Sequence, residues 1–432
     1  MGGRETCAGR FETESVGWQV VEELPHKPKD GELTKSINLC ALDNALGNPD
    51  AEWAGVMQEA HGNLFSHVTI IITPAQLAQM QAVIAAVEKV VALPAWQQQV
   101  LGDISGQFIP ANLGVFFGYD FHLNEDGAHL IEINTNAGGA FFNILLQQSQ
   151  RDETLPGVTL APDDLGQDIV AMFRHEWKLQ RGDEPLHTIA IVDEAPQSQY
   201  FYPEFVLARQ LFERAGIHAF IADPANFESR ADGLYCGENK VDLIYNRLTD
   251  FSLSQYPALR AAYQQNQLVL TPHPYAYSLY ADKRNLTLLT DGERLRAMGV
   301  DDTTVATLLA GIPQTRLVEA PDAEQWWKER KEWFFKPATG YGGKGSYRGA
   351  NVTQRVFAEI MQGGYVAQRR AMPGERMVSV AGAEPAAFKF DVRCYVYEGV
   401  VQLVVARLYQ GQMTNFRTPG GGFAMVRVER TL

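Results

Sequence analysis

The sequence has few cysteines, no excess of basic charge and no long apolar run, and each shortage excludes a class of function. Its 432 residues include four cysteines, scattered without the spacing of a zinc site or a disulfide framework. The formal net charge of −14 argues against binding to a nucleic-acid backbone. No apolar run of about 18 residues occurs, so we expect no transmembrane helix. We therefore expect a cytoplasmic protein with no nucleic-acid or membrane partner.

The chain is long enough for two or three domains, each with its own core. Its 46% hydrophobic and 20% charged content is ordinary for a globular protein. The patterns predict four regions: residues 1–150 with a metal-binding hairpin, a connector over 151–186, a small α/β domain over 187–278, and a region with a glycine-rich loop over 279–432. Residues 1–65 match no motif.

Local signals place several helices and strands. Thr73 followed by Pro74 and Gln76 forms a capping box that predicts a helix to about Val91, and "PAWQQQVLGD" predicts a second one. Three buried-strand patterns follow in "HTIAIVDE", "HAFIADP" and "KVDLIYNRL", with a helix over "YPEFVLARQLFERAG" between the first two. This alternation predicts a doubly wound domain with a parallel sheet.

A hairpin pattern carries the first candidate site. The turn "NEDG" is followed by "AHLIEIN", which places Glu132 and Asn134 on one face because alternate side chains of a strand point the same way. A three-residue loop ending at Gly127 would set Asp120 directly opposite Glu132. Two carboxylates so close repel each other unless a cation neutralises them, and these oxygen ligands suit Mg²⁺. A solvated outer face is the alternative, and the aromatic neighbours argue against it.

The glycine-rich segment "FFKPATGYGGKGSYRG" is the second candidate. Its glycines, among them Gly340, Gly342 and Gly343, would let backbone N–H groups approach phosphate oxygens, while Lys336 and Lys344 supply positive charge. A Rossmann turn would need a helix directly after it, and a Walker loop would need Ser or Thr after Gly-Lys. We expect a hairpin flap over phosphates; a tight turn without a ligand is the alternative.

Two arginines lie in otherwise apolar strands. Arg393 and Arg407 fall within "DVRCYVYEGVVQLVVARL", and buried cations are costly unless they meet an anion. That anion would be a phosphoryl group, or else an acid of the chain such as Asp391. The following loop, "TNFRTPGGG", places Asn415 where it would close over a phosphorylated intermediate.

Together these segments resemble the ATP-grasp superfamily, specifically its glutathione-synthetase-like ligases. The resemblance covers 280–432 and 112–145 closely and 187–280 loosely. In that family the metal-bearing strands come last, whereas here they precede the phosphate loop, as a circular permutation would produce. The implied fold class is α+β: an ATP-grasp fold in circularly permuted order with a small, pre-ATP-grasp-like α/β domain. The segments that carry the resemblance are "KPATGYGG", "YVAQ", "DVR", "ARLYQG", "TNFRTPGGG", "FFGYD" and "IEIN".

The resemblance implies an ATP-dependent carboxylate–amine, or carboxylate–thiol, ligase that forms an acyl phosphate with one or two Mg²⁺ ions. A phosphotransferase and a nucleotide-binding protein without turnover are the alternatives. The substrates, the oligomeric state and the role of residues 1–65 stay open, a homo-oligomer included. The implied site comprises metal ligands Asp120, Glu132 and Asn134; nucleotide contacts Lys283, Lys336, Gly340, Gly342, Gly343, Lys344 and Gln368; catalytic Arg393, Arg407 and Asn415; and substrate contacts Arg247, Gly138 and Gly139.

Overall fold

A computed structural model describes residues 64–102, 107–149, 158–159, 165–340, 342–379 and 384–429. Every residue of the predicted site lies within these ranges. The segment 1–63, which makes up nearly all of the stretch without a motif, lies outside them, as does part of the predicted connector.

One large, curled, mainly antiparallel sheet joins both ends of the described chain. Its main path runs β1-β19-β18-β17-β2-β3, while β4 pairs with β19 and β16 pairs with β17. β1 runs parallel to β19, so the first and last described strands are neighbours. Its strands are β1 (Ile70–Ile72), β2 (Phe117–Asn124), β3 (Gly127–Asn134), β4 (Val158–Thr159), β16 (Gly374–Val378), β17 (Ala386–Tyr397), β18 (Val400–Tyr409) and β19 (Gly422–Val428).

The β2–β3 hairpin reaches the predicted pairing by another route. Asn124 pairs with Gly127, so the loop has two residues and the predicted three-residue loop is wrong. The register then shifts at Ile131, which is left out of the ladder as a bulge. Because the shorter loop and the bulge offset each other, Asp120 still faces Glu132, as predicted.

A second, four-stranded sheet is parallel, which confirms the predicted alternation of strands and helices. Its order is β11-β10-β5-β6, and the chain leaves β5 and β10 in opposite directions. A small antiparallel sheet, β7-β8-β9, interrupts the alternation before β10 and was not predicted. The strands are β5 (Thr188–Val192), β6 (His218–Ala222), β7 (Phe227–Arg230), β8 (Gly233–Cys236), β9 (Asn239–Lys240), β10 (Leu243–Asn246) and β11 (Val269–Thr271).

A third sheet, in the order β12-β15-β13-β14, carries the glycine-rich segment between two of its strands. β13 and β14 are antiparallel neighbours, so the segment returns as the predicted hairpin flap. The strands are β12 (Thr315–Leu317), β13 (Trp333–Pro337), β14 (Tyr347–Arg348) and β15 (Tyr365–Arg369).

Helices cover the sheets, and the predicted helix from Pro74 begins with the expected capping box at Thr73. No single helix in the described ranges is long and apolar enough to cross a membrane. The consecutive helices Pro74–Val91 and Pro94–Leu101 would together be long and apolar enough, but they are bent by 77° relative to each other. The helices are α1 (Pro74–Val91), α2 (Pro94–Leu101), α3 (Ala140–Ser149), α4 (Leu165–Arg181), α5 (Tyr202–Arg214), α6 (Pro257–Gln264), α7 (Pro274–Ala276), α8 (Asn285–Leu289), α9 (Gly292–Ala297), α10 (Asp302–Gly311), α11 (Ala323–Glu329) and α12 (Gln354–Ile360).

The two faces of the large sheet have different partners. One face packs its apolar side chains against α1, and Val392, Val404 and Val426 are buried there. The other face is apolar where it meets α3, α4 and α5, around Tyr395 and Met425. Towards the β2–β3 hairpin that second face becomes polar. The domain boundaries stay a prediction, but this change of surface fixes where the candidate site lies.

Candidate active site

The polar end of the large sheet brings together strands that are far apart in the chain. Asp120 of β2 lies opposite Arg393 of β17, and Arg407 of β18 lies opposite Asp391. Asn134 is the next polar residue on this face, and its Nδ2 donates to Asp120 Oδ2 at 3.1 Å. The two predicted arginines and two of the predicted metal ligands therefore share one surface.

Alternating charges form a continuous series of ion pairs on this surface, in the order Arg393, Asp120, Arg407 and Asp391. Arg393 donates to both oxygens of Asp120, at 2.6 and 2.7 Å, and Arg407 donates to Asp120 Oδ2 at 2.8 Å and to Asp391 Oδ1 at 2.6 Å. Burial alone would raise the pKa of Asp120, but the two guanidinium groups hold it below its ordinary value. The arginines thus have acid partners of the chain, as the alternative interpretation of the sequence allowed.

Lysines from outside the sheet face the hairpin. Lys283 Nζ lies 3.3 Å from Glu132 Oε1, and Lys336 Nζ donates to Gln368 Oε1 at 2.8 Å and to Ile131 O at 2.9 Å. The Ile131 carbonyl is free for this bond because the bulge removes it from the ladder. Burial lowers the pKa of Lys336 to about 8, with Glu132 opposing and Lys283 adding to that effect.

The side chain of Gln368 is buried and bonded within the protein, whereas a contact with adenine was predicted. Its side chain is 2% exposed, accepts from Lys336, and donates to Thr315 Oγ1 at 3.3 Å. Its strand is paired on both sides, with β12 and with β13. The side chain therefore orients Lys336 in this arrangement, and an adenine contact of Gln368 stays a prediction.

Of the three predicted Mg²⁺ ligands, two have an oxygen atom that is available to a cation. Within the described ranges no three His, Cys, Asp or Glu side chains converge as a metal would require, and the predicted trio has only two carboxylates. Glu132 Oε2 and Asn134 Oδ1 have no hydrogen bond from the described residues, so both oxygens are available to a hard cation. Both oxygens of Asp120 accept from arginine instead, so its assignment as a ligand stays a prediction.

The glycine-rich flap lies over the lysines. Lys283 Nζ donates to Gly340 O at 3.0 Å, which ties the flap to the wall of the cleft. Gly342 and Gly343 have φ of +60° and +68°, a left-handed conformation that glycine adopts without strain. Lys344 belongs to the same turn. Lys283, Lys336 and Gly340 of the flap therefore lie together beside Glu132, at the charged surface of the sheet.

Arg247 and the loop after β3 form a second part of the site. The chain leaves β5 and β10 in opposite directions, and Arg247 directly follows β10, with its N–H donating to Val192 O at 2.8 Å. In parallel sheets ligands bind at the carboxyl ends of two such strands. Arg247 is 7% exposed, forms no ion pair with the described residues, and its Nε has no hydrogen-bond partner. Burial alone would lower the pKa of Arg247, but Tyr245, Glu204 and Asp193 nearby raise it, so the guanidinium has anionic neighbours although neither carboxylate forms an ion pair with it.

The loop from Asn136 to Gly139 is held by charged and polar groups of the site. Arg247 Nη1 donates to Asn136 O at 2.9 Å, while Tyr395 Oη and Arg393 Nη1 donate to Gly138 O at 2.6 and 3.3 Å. A Cβ at Gly138 would lie 2.8 Å from Arg247 Nη2, so glycine lets the guanidinium approach. The structure brings Gly138 and Gly139 beside Arg247, where substrate contacts were predicted.

Two features were missed or differ from the sequence expectation. Glu204 on α5 is fully buried and accepts from the N–H groups of Gly139 (2.8 and 2.9 Å) and Phe141 (3.2 Å). Burial raises its pKa. An acidic residue on the otherwise apolar face of the predicted helix could have indicated Glu204 from the sequence.

Asn415 uses its side chain within its own loop, donating to Gln410 O at 2.9 Å. Its catalytic role stays a prediction.

The assembled architecture is a mixed α+β fold similar to glutathione-synthetase-like structures. The apo form of a glutathione synthetase-like effector from Globodera pallida matches with a TM-score of 0.56 at 10% identity, over 91% of this chain and 98% of that one. A protein provisionally described as a gamma-glutamylcysteine synthetase, from Methylobacillus flagellatus KT, matches with a TM-score of 0.47 at 11% identity, over 83% and 88%. No protein-family model and no curated protein sequence matches the chain. The likeness to the effector shows the fold, so the α+β, glutathione-synthetase-like part of the fold prediction is confirmed.

Proposed function

We propose that this protein is an ATP-dependent ligase with an ATP-grasp fold in circularly permuted order. A substrate carboxylate attacks the γ-phosphorus of ATP, ADP leaves, and an amine or thiol then displaces phosphate from the acyl phosphate. The observation that carries the proposal is that Lys283, Lys336 and the flap lie beside Glu132, next to the Asp120–Arg393 pair. Phosphoryl transfer depends mainly on such positioning and charge neutralisation.

The residues have distinct tasks in this mechanism. Lys336 supplies positive charge to the phosphates, since its present acceptors, Gln368 and Ile131 O, are neutral. Glu132 and Asn134 would hold Mg²⁺, which when bound neutralises charge on the phosphates. Arg407 stabilises the transferred group with Nη1, which makes no hydrogen bond to the described residues.

The substrate carboxylate is assigned to the cleft beside the Asn136–Gly139 loop. Arg247 would bind an anionic group there through its Nε, which has no hydrogen-bond partner, with its charge already supported by Glu204 and Asp193 nearby. The loop continues directly from β3, which carries Glu132 and Asn134. A carboxylate held near Arg247 would therefore lie towards the phosphates rather than in a separate pocket.

The test distinguishes the ligase from its alternatives. The protein is incubated with ATP, Mg²⁺, a panel of carboxylic acids and hydroxylamine, and ADP and hydroxamate are measured together. A ligase gives both products with the correct acid, because hydroxylamine traps an acyl phosphate. A stable phosphorylated product without hydroxamate would identify a phosphotransferase. Nucleotide binding without ADP release over a broad acid and amine panel would leave only a binding protein.

A further inference from the structure

The loop 410–421, the bridging loop, contacts both the glycine-rich flap and the charge network. A Cβ added at Gly343 would lie 1.8 Å from Met413 Cε and 2.8 Å from its Sδ, so this thioether packs directly on the glycine-rich flap. The next residue, Thr414, donates from its hydroxyl to Asp391 of the charge network. Within two positions the loop therefore meets the flap and the arginine-bearing surface.

The same loop reaches the substrate side through one aromatic ring. The ring of Phe416 lies 4.7 Å from that of Phe423 and 5.7 Å from that of Phe201. Those two rings cover the Asn136–Gly139 loop. A Cβ at Gly138 would lie 2.7 Å from Phe201, and one at Gly139 would lie 2.1 Å from Phe423. Phe416 is thus one ring away from the glycines beside Arg247.

The bridging loop is braced internally by hydrogen bonds of Asn415. Asn415 Nδ2 donates to Gln410 O at 2.9 Å, and Asn415 Oδ1 accepts from Thr418 Oγ1 at 3.1 Å and from the Arg417 N–H at 3.0 Å. A displacement of Met413 by the flap would therefore be felt at Phe416. Tyr200 Oη donates to the carbonyl of Phe416 at 3.4 Å and ties that end to the start of α5.

We propose that Phe416 is a positioning residue that couples nucleotide binding under the flap to the order of the substrate loop, Asn136–Gly139. This inference rests on the proposed function, because it takes the flap as the nucleotide site. When phosphates draw the flap down, Met413 and the braced loop follow, and Phe416 presses Phe201 and Phe423 onto Gly138 and Gly139. Nucleotide binding then adds order to a loop that Arg247, Arg393 and Glu204 already hold.

Hydrogen exchange of the full chain with and without Mg²⁺ and AMP-PNP tests the coupling. In the wild type, we expect the nonhydrolysable nucleotide to slow exchange in 340–346 and, by about fivefold or more, in 136–141. In Phe416→Ala the slowing should persist in 340–346 and fall to less than about half of its wild-type size in 136–141. Phe416→Tyr should restore it, and Gln412→Ala, an exposed neighbour in the same loop, is the matched control.

The negative results distinguish a failure of the coupling from a failure of the proposed function. A wild-type protein that binds no nucleotide would overturn the proposed function itself. Binding that protects 340–346 alone, or equal protection of 136–141 in Phe416→Ala, would overturn the coupling and leave the proposed function standing. Should Phe416→Ala fail to fold, Met413→Ala removes the contact with the flap from a half-exposed position and should likewise reduce the protection of 136–141 to less than about half of its wild-type size. Unchanged protection there would equally refute the coupling.

Discussion

Asp120 and Arg393 lie 273 positions apart in the chain and form a two-point ion pair, with Nε to Oδ1 at 2.6 Å and Nη2 to Oδ2 at 2.7 Å. Arg407 and Asp391 extend the pair into a network of two acids and two arginines with no net charge. Lys336 differs, because no carboxylate of the described residues forms an ion pair with it. In the proposed mechanism the network would therefore fix geometry, and Lys336 would provide positive charge for an incoming anion.

The two arginines should respond differently to substitution by lysine. Arg393 uses Nε, Nη1 and Nη2 on Asp120 and Gly138, whereas Arg407 keeps Nη1 without a hydrogen bond to the described residues. We expect Arg393→Lys to lower the free energy of unfolding by about 2–3 kcal/mol, because a lysine cannot make the bidentate bond. Arg407→Lys should lower turnover by about 10²–10³-fold with a smaller loss of stability.

Urea denaturation and ADP release, measured on both variants, check this difference. Arg376→Lys, at a site on β16 away from the network, is the control for the substitution itself. Equal losses of turnover and of stability in the two variants would show that the arginines act as one structural unit, and the separate role of Arg407 would be wrong.

Glu132→Gln should abolish turnover with Mg²⁺ and ATP while leaving the fold intact. The side chain is partly exposed, and its amide replacement removes the charge that would hold the cation while keeping its shape. The measurements are ADP release, circular dichroism, and the Mg²⁺ dependence of nucleotide affinity. The affinity should lose most of its Mg²⁺ dependence. Glu125→Gln, at the exposed hairpin turn, should behave as wild type. Retained turnover in Glu132→Gln would refute the metal assignment.

The hairpin shows what the sequence could and could not predict. Alternation along a strand was enough to place Glu132 and Asn134 on one face, and the direct opposition of Asp120 was correct. The loop length was wrong because a two-residue turn and a bulge at Ile131 give the same pairing as a three-residue turn without one. A bulge has no strong local pattern. Here its position also depends on Lys336, which binds the carbonyl that the bulge leaves free.

Contacts between distant segments were the other limit. Arg393 and Arg407 were predicted as site residues because charge in apolar strands is costly, and Lys336 because it flanks the glycine-rich segment; both arguments use one segment at a time. Whether Arg393 meets a phosphate or Asp120 depends on strand order, which no local pattern contains. The same is true of Glu204 and of the small sheet β7-β8-β9. Local patterns therefore predicted many of the strands and helices, while the contacts between distant side chains required the assembled fold.

Glu176 offers a test of how the hairpin is anchored. This fully buried carboxylate accepts from the N–H groups of Leu113 and Gly114, at 3.0 and 2.8 Å, just before β2. It also accepts from Thr271 Oγ1 at 2.6 Å and from Tyr397 Oη at 3.0 Å. Glu176→Ala would leave several buried donors unsatisfied, so the free energy of unfolding should fall by at least about 3 kcal/mol.

Urea denaturation measures this change in the free energy of unfolding. The control is Glu228→Ala, since the Glu228 side chain is 72% exposed. We expect its free energy of unfolding to stay within about 0.5 kcal/mol of wild type. A loss of less than about 1 kcal/mol in Glu176→Ala would mean that water replaces the carboxylate at this site.

The protonation of Lys336 should control nucleotide affinity at alkaline pH. Burial lowers the pKa of Lys336 to about 8 from its ordinary 10.5. Below about pH 8 the folded protein holds the ammonium that would meet the phosphates; above it the proton is lost and the affinity should fall by about tenfold per pH unit. Isothermal titration with Mg²⁺ and AMP-PNP between pH 7 and pH 9.5 measures this fall.

Stability should change in the opposite direction over the same range. Between pH 8 and 10.5 the unfolded chain still binds the proton that the folded protein has released, so the free energy of unfolding should rise with pH. Lys336→Met removes the titrating group and keeps most of its volume. In this variant nucleotide binding should be weak at every pH, and the rise in stability should disappear. A wild-type affinity that stays constant to pH 9.5 would show that Lys336 does not meet the nucleotide.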